Sequence, residues 1–278
     1  MTSGTLSRLS AFTLDPAGGN PAGVWIGEAL PSSDEMQRIA AEVGFSETAF
    51  VAPIVGSNRT IRYYSPEGEV SFCGHATIAT GVKLGEVDGD GTYELSTTVG
   101  KVPVTTKTEN GLRTASLTSV EPHYSLAADS VVAEALTALH WQASELDTSI
   151  LPAIAYAGAY HLVLAVTKET RLASLEYDFD RLKALMLTHN LTTLQLIWQE
   201  SDHIFHSRNP FPVGGVVEDP ATGAAAAALG GYLREANIIP TPTTFLVRQG
   251  EAMGRPSQIT VTLPKIGGIV VTGNAVCI

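Results

Sequence analysis

Four side chains in this sequence could carry acid–base or nucleophilic chemistry: Glu47, Cys73, His75 and Asp219. Glu47 lies in a polar patch between two aromatic residues, at positions 45–50. A carboxylate partly enclosed by apolar groups can act as a general acid or base. The alternative is a solvent-facing glutamate at the start of a strand.

Cys73 and His75 lie on either side of Gly74, where small residues predict a helix start. A histidine in the first turn feels the positive end of the helix dipole, so it could relay a proton or hydrogen-bond a substrate. A thiol at the same place could be a nucleophile or a base. The alternatives are an ordinary polar first-turn residue for His75 and a small buried residue for Cys73.

Asp219 precedes Pro220, and this dipeptide is typical of a helix that begins with aspartate as N-cap and proline as first residue. That alternative would place Gly223 inside the first turn, at a cost of up to about 1 kcal/mol relative to alanine. A strand–turn–helix junction held open for a ligand explains the glycine better. We then expect free N–H groups around Thr222, Gly223 and Ala224, which would bind an anion such as a carboxylate.

The elements that position these groups occur twice, because each half of the sequence has a strand, a turn and a helix of small residues. Aligning Gly74 with Gly223 matches identical residues at five further positions, the last being Glu86 and Glu235. We interpret this as an internal duplication. The alternative is chance similarity between two helices rich in Ala and Gly.

Many short strands at hairpin spacing around few helices predict an α+β fold. We expect two halves, residues 1–120 and 121–266, with a C-terminal strand at about 267–278 that could return to the first half.

The composition limits the possible partners. The 278 residues carry a net charge of -11, which disfavours nucleic acid and anionic membranes. No apolar run reaches membrane-spanning length, and the N-terminus shows no signal-peptide pattern. The only cysteines, Cys73 and Cys277, imply no disulfide framework, so we expect a cytoplasmic protein. His203 and His206 have poor spacing for metal ligands on a strand, and no P-loop or dinucleotide fingerprint is present.

A set of motifs resembles the phenazine-biosynthesis PhzF-like isomerase family almost from end to end. The motifs are Gly-Asn-Pro-Ala-Gly-Val at 19–24, Met-Gln-Arg-Ile-Ala at 36–40, Ser-Glu-Thr at 46–48, Cys-Gly-His-Ala-Thr at 73–77, Glu-Asp-Pro-Ala-Thr-Gly at 218–223, and the stretch 250–257. The resemblance implies a fold similar to diaminopimelate epimerase: two pseudo-symmetric halves, each a curved antiparallel sheet wrapped round a central helix. It also implies a homodimer, no cofactor or metal, and an active site in the cleft between the halves.

The resemblance assigns roles by motif. Glu47 becomes the acid/base, with His75 and Asp219 as its catalytic partners. The substrate-binding residues that it implies are Asn20, Cys73, Gly74, Thr222, Gly223 and Ala224.

The sequence departs from its relatives at two of these positions. Ala224 stands where the family usually has serine, so a hydroxyl donor is missing and isomerisation of dihydro-hydroxyanthranilate becomes doubtful. The epimerase relatives use one thiol from each helix start, but the counterpart of Cys73 here is Thr222. Two-thiol racemisation is therefore excluded.

The sequence thus predicts a cofactor-independent isomerase that acts on a small, anionic, carboxylate-bearing metabolite. Glu47 would remove a proton from carbon and return it elsewhere on the same molecule, while the helix starts hold the carboxylate. The alternative is a small-carboxylate binding protein of the same fold that has lost the chemistry, which the missing hydroxyl at Ala224 motivates.

Overall fold

The computed structural model describes residues 3–278, and the chain divides into two compact units. Unit 1 comprises Met1–Thr118 and Thr272–Ile278, and unit 2 comprises Ser119–Val271. Both units combine helices with paired strands. Within residues 3–278, no helix is both long and apolar enough to cross a bilayer.

The elements of unit 1 alternate short strands with two helices. In chain order they are β1 (Gly4–Ala11), β2 (Asn20–Gly27), α1 (Ser33–Val43), β3 (Glu47–Pro53), β4 (Asn58–Tyr64), β5 (Glu69–Val70), α2 (Gly74–Asp88), β6 (Gly91–Thr97), β7 (Gly100–Glu109) and β8 (Leu112–Thr118).

Unit 2 also combines strands with helices, and within the described residues it has four α-helices where unit 1 has two. Its elements are β9 (His123–Leu126), α3 (Asp129–Leu139), β10 (Ala153–Tyr156), β11 (Tyr160–Val166), α4 (Glu169–Ala173), α5 (Phe179–Thr188), β12 (Thr193–Ser201), β13 (Ile204–Pro210), β14 (Glu218–Asp219), α6 (Gly223–Glu235), β15 (Thr243–Gln249), β16 (Ser257–Leu263) and β17 (Val270–Cys277). Most of β17 belongs to unit 1.

In unit 1, the strand pairings close on themselves in the order β1, β2, β3, β4, β6, β7, β8, β17 and back to β1. Helix α2 packs against β8, β2 and β7 of this ring. Its buried positions run without a break from His75 to Val82, as expected for a helix surrounded by protein. Small side chains on α2 allow the strands to approach it closely.

In unit 2, the pairings run β9, β10, β11, β12, β13, β15, β16, and α6 packs against several of these strands. The alanines of α6 from Ala225 to Ala228 are almost entirely buried. A separate apolar cluster joins α3 and α5 to β11 and β12, and it includes Leu139, Leu164 and Met186.

The prediction of purely antiparallel sheets is wrong at two places in each unit. The pairs β2–β3 and β4–β6 are parallel in unit 1, and β11–β12 and β13–β15 are parallel in unit 2. Each parallel pair is joined by a connection that contains a helix, because parallel strands cannot be linked by a tight hairpin. Hairpins and helical crossovers follow one another in the same order from β1 to β7 and from β10 to β16.

Candidate active site

The three predicted groups of unit 1, Glu47, Cys73 and His75, lie together at the start of α2. Glu47 is the first residue of β3, Cys73 is the N-cap of α2, and His75 is the second residue of that helix. The Cys73 thiol donates to Glu47 Oε2 over 3.4 Å, and the same oxygen lies 3.3 Å from His75 Nε2. The sulfur is 3.3 Å from Nδ1 and 3.8 Å from Nε2 of His75. The fold therefore makes one cluster of a carboxylate, a thiol and an imidazole.

The three groups differ in how far they are buried. Cys73 and His75 are buried, whereas the Glu47 side chain keeps 19% of its surface exposed. Glu47 is thus the member of the cluster most open to a ligand. Its carboxylate can accept a proton, and both neighbouring groups can donate hydrogen bonds to it.

Two further side chains contact the His75 ring. Asn20 Nδ2 lies 3.2 Å from Nδ1, and Ser46 Oγ lies 3.4 Å from Nε2. With the amide assigned this way, Nδ1 is the acceptor and the neutral ring carries its hydrogen on Nε2, towards Ser46 and Glu47. The structure therefore places Asn20 and Ser46 at the cluster, and a role of Asn20 in substrate binding stays a prediction. The signal for Ser46 was its position directly before Glu47 in Ser-Glu-Thr.

The start of α2 is held by a buried pair of hydroxyl groups. Thr77 Oγ1 donates to the Cys73 carbonyl oxygen over 2.6 Å, and the Tyr63 hydroxyl lies 2.7 Å from Thr77 Oγ1. Burial raises the pKa of Tyr63, so its hydroxyl stays protonated and donates to Thr77. These bonds fix the backbone that carries Cys73, and nothing local in the sequence pointed to Tyr63, which comes from β4.

In unit 2, Asp219 and Thr222 lie together at the start of α6. Thr222 Oγ1 donates to Asp219 Oδ2 over 2.6 Å. The buried Gln249, at the end of β15, joins both residues: its Nε2 donates to the Asp219 carbonyl oxygen at 2.7 Å and to Thr222 Oγ1 at 3.0 Å. Sequence reasoning missed Gln249, because 27 residues separate it from Thr222.

The helix start rules out the alternative in which Asp219 is the N-cap, and it corrects the expectation of a free N–H group at Thr222. Thr222 is the N-cap and Gly223 the first residue of α6, so neither Asp219 nor Pro220 begins the helix. The Thr222 N–H is not free, because it donates to Gln249 Oε1 over 3.1 Å. Gly223 and Ala224 occupy the first turn, where N–H groups have no acceptor within the helix. Ala224 is half-buried and corresponds in position to His75 of α2.

A partly buried ion pair fixes the strand that carries Asp219. Arg208 binds both carboxylate oxygens of Glu218, with Nε at 3.0 and 3.2 Å and Nη2 at 2.5 Å. Arg208 Nη1 also donates to the Ala173 carbonyl oxygen at 2.8 Å. Such bidentate contacts fix the orientation of the carboxylate and also neutralise its charge. They hold Glu218, and so its neighbour Asp219, against β13.

Comparison with known proteins places the chain in a family. The sequence model of the phenazine biosynthesis-like protein family matches residues 9–278. A Bacillus subtilis protein described as an uncharacterized isomerase is 27% identical, over 97% of this chain and 94% of its own length. The trans-2,3-dihydro-3-hydroxyanthranilate isomerase of Pseudomonas aeruginosa is 30% identical, over 96% of this chain and 94% of its own length. A Bacillus anthracis protein of the PhzF family has a solved structure with a TM-score of 0.86 and 25% identity, covering 98% of this chain and 96% of that one.

The chain therefore belongs to the phenazine biosynthesis-like family, which confirms the resemblance carried by the sequence motifs. The two relatives are named isomerases, and the chain matches each of them over nearly its whole length. The chain is an isomerase.

Proposed function

We propose that this isomerase acts by cofactor-independent proton transfer on a small carboxylate-bearing metabolite, with Glu47 as the acid/base. The observation that carries the proposal is the cluster at the start of α2, where Glu47 Oε2 contacts both Cys73 and His75. Glu47 takes a proton from a substrate carbon and returns it to another position of the same molecule. His75 and Cys73 donate hydrogen bonds that stabilise the carboxylate before it takes the proton and after it has returned it.

In unit 2, the start of α6 and Asp219 are the proposed partners for the polar groups of the substrate. The N–H groups of Gly223 and Ala224 bind a carboxylate, because a helix start offers donors and the positive end of the dipole. Gln249 and Thr222 hold Asp219 in one orientation. The Pseudomonas aeruginosa relative is named for a hydroxyanthranilate, which is itself a carboxylate and supports this substrate class. The homodimer, and one cleft shared by the two helix starts, stay predictions.

The test is transfer of deuterium from solvent. We would incubate the protein in D2O with trans-2,3-dihydro-3-hydroxyanthranilate and, separately, with a metabolite extract, and follow carbon-bound deuterium by mass spectrometry. Glu47→Gln should remove the transfer, because an amide cannot accept the proton. The free energy of unfolding should change by less than about 1 kcal/mol, since size and polarity are kept.

Cys73→Ala is the matched variant within the same cluster. It should keep a substantial part of the transfer, because the proposed chemistry uses one carboxylate and no thiol nucleophile. Full transfer by the Glu47→Gln variant, or a loss in Cys73→Ala as complete as in Glu47→Gln, would reject the assignment.

The alternative of a binding protein that has lost the chemistry is disfavoured by relatives that are named isomerases, and Ala224 is the one observation in its favour. The family resemblance implies a serine hydroxyl at this position, and alanine offers none. A carboxylate that binds the native protein without any deuterium exchange would favour this candidate.

A further inference from the structure

The cluster at the start of α2 also has the donor atoms of a metal site. Glu47, Cys73 and His75 each offer one ligand atom, and these atoms lie within 4.8 Å of one another. The triangle of Sγ, Oε2 and Nε2 has edges of 3.4 Å for sulfur to oxygen, 3.3 Å for oxygen to nitrogen and 3.8 Å for sulfur to nitrogen.

These edges match those of a tetrahedral zinc site. With Zn–S at about 2.3 Å and Zn–N or Zn–O at about 2.0–2.1 Å, tetrahedral angles place oxygen and nitrogen about 3.3 Å apart and sulfur about 3.6 Å from each. Each edge of the triangle agrees with these values to within roughly 0.2 Å. A single ion can therefore reach all three atoms with little movement of the side chains.

The surroundings favour such an ion as well. The Cys73 backbone is fixed by Thr77, and His75 is fixed in the first turn of α2. A metal on Nε2 requires the hydrogen on Nδ1, and the buried Asn20 amide next to Nδ1 can turn its oxygen to accept it. A partner of this kind on the second ring nitrogen is the usual support of a metal-binding histidine.

We propose that Glu47, Cys73 and His75 bind one Zn2+ ion, or a similar borderline-soft divalent cation, and that the ion inhibits the enzyme. The mixed set of sulfur, nitrogen and oxygen excludes Mg2+ and Ca2+, which prefer oxygen ligands only. On binding, the Cys73 thiol releases its proton to solvent, the imidazole binds as the neutral ring, and Glu47 binds as the carboxylate. The fourth position stays open to water.

Inhibition follows because the ion occupies the carboxylate that serves as the base. This consequence rests on the proposed function, whereas binding of the ion does not. Three ligands with an open position also allow a chelator to remove the ion, so that inhibition is reversible.

The experiment uses the full chain, first treated with EDTA and then dialysed. Titration with Zn2+ should give one ion per chain, and Co2+ should give the absorption bands of a tetrahedral ion with a thiolate ligand. Cys73→Ser should weaken Zn2+ binding at least about tenfold, a loss of about 1.4 kcal/mol. The matched control is Cys277→Ser, which removes the exposed second thiol and should leave Zn2+ affinity unchanged.

The Co2+ spectrum of the native protein keeps the test independent of how well any variant folds. A spectrum without a thiolate band, or equal losses of affinity in Cys73→Ser and Cys277→Ser, overturns the inference. Deuterium transfer measured with rising Zn2+ separates it from the proposed function. If Glu47→Gln lacks transfer but Zn2+ neither binds nor inhibits, only the inference fails. If Zn2+ binds with the thiolate band while Glu47→Gln transfers normally, the proposed function and the inhibition fail, and the metal site stands.

Discussion

Gly81 lies in the middle of α2, and Gly81→Ala tests how closely the strands of unit 1 pack against this helix. A Cβ atom at this position would lie 2.6 Å from Val104 Cγ1 and 2.7 Å from Ala115 Cβ. Favourable contacts between carbon atoms are about 3.5–4.0 Å, so the overlap is roughly 1 Å. Val104 and Ala115 belong to strands β7 and β8, which are hydrogen-bonded to each other. Neither residue can therefore move away from α2 without moving its strand.

Two opposing terms set the size of the effect. Alanine is favoured over glycine inside a helix by about 1 kcal/mol. Inserting a methyl group into a well-packed core costs about 1–3 kcal/mol. Because the new methyl group overlaps with two fixed neighbours, we expect a packing cost of about 2–3 kcal/mol. After the gain in helix propensity is subtracted, Gly81→Ala should lower the free energy of unfolding by about 1–2 kcal/mol.

Gly85→Ala, one turn further along the same helix, is the matched control. Its Cβ would meet Arg113 Cδ at 2.7 Å and Nε at 2.9 Å, and Thr106 Oγ1 at 2.9 Å. The Arg113 side chain can move away, at the cost of a partly exposed ion pair with Asp90 that is worth about 0–1 kcal/mol. The Thr106 hydroxyl can turn away, at the cost of the hydrogen bond that it accepts from the Gly91 N–H. The gain in helix propensity offsets these losses, so the Gly85→Ala variant should stay within about 1 kcal/mol of the native protein.

Urea unfolding, followed by circular dichroism and by tryptophan fluorescence, measures both variants. Gly81→Ala should unfold at clearly lower urea than Gly85→Ala. A Gly81→Ala variant at least as stable as Gly85→Ala would show that α2 is not packed tightly at Gly81, and the reasoning from small residues would be refuted.

Two further predictions concern unit 2. Burial lowers the pKa of His161 from its ordinary 6.5 to about 3, so the unfolded chain binds a proton between these values that the folded chain does not. The free energy of unfolding should therefore fall by about 1.4 kcal/mol per unit as the pH drops from about 6 to about 4. His161→Asn should remove that part of the slope in urea unfolding, and an unchanged slope would contradict it. Ala224→Ser adds a hydroxyl worth about 0.5–1.5 kcal/mol and should alter turnover or substrate preference more than carboxylate affinity, because the backbone donors remain. Unchanged turnover with a shift in affinity beyond about tenfold would count against it.

The sequence was most informative where chemistry and local structure coincide. Gly74 and Gly223 both begin helices, and the small residues that follow them explain how these helices can be buried. Glu47 is 26 residues from Cys73, yet both were identified because each lies at a recognisable junction of elements. Local patterns of this kind can be read without knowledge of tertiary contacts.

The contacts that hold the site could not be predicted in the same way. Gln249 lies at the end of a strand with no motif that links it to Thr222, and Tyr63 reads as an ordinary strand residue. Parallel pairing was also missed, because the apolar pattern of a strand gives the face that it buries and not the direction of its neighbour. Such features depend on which strands meet across the helical crossovers.

The two helix starts use the same device with different chemistry. In each unit the N-cap side chain donates to a carboxylate: Cys73 to Glu47 over 3.4 Å, and Thr222 to Asp219 over 2.6 Å. A thiol is a weak hydrogen-bond donor, so the Glu47 carboxylate stays available to accept a proton. The Thr222 hydroxyl does not ionise near neutral pH, so the N-cap of α6 provides no second base to match the Cys73 thiol of α2. With Glu47 as the one proposed base, the proposed chemistry moves a proton within one substrate, whereas two-base racemisation needs a base on each face.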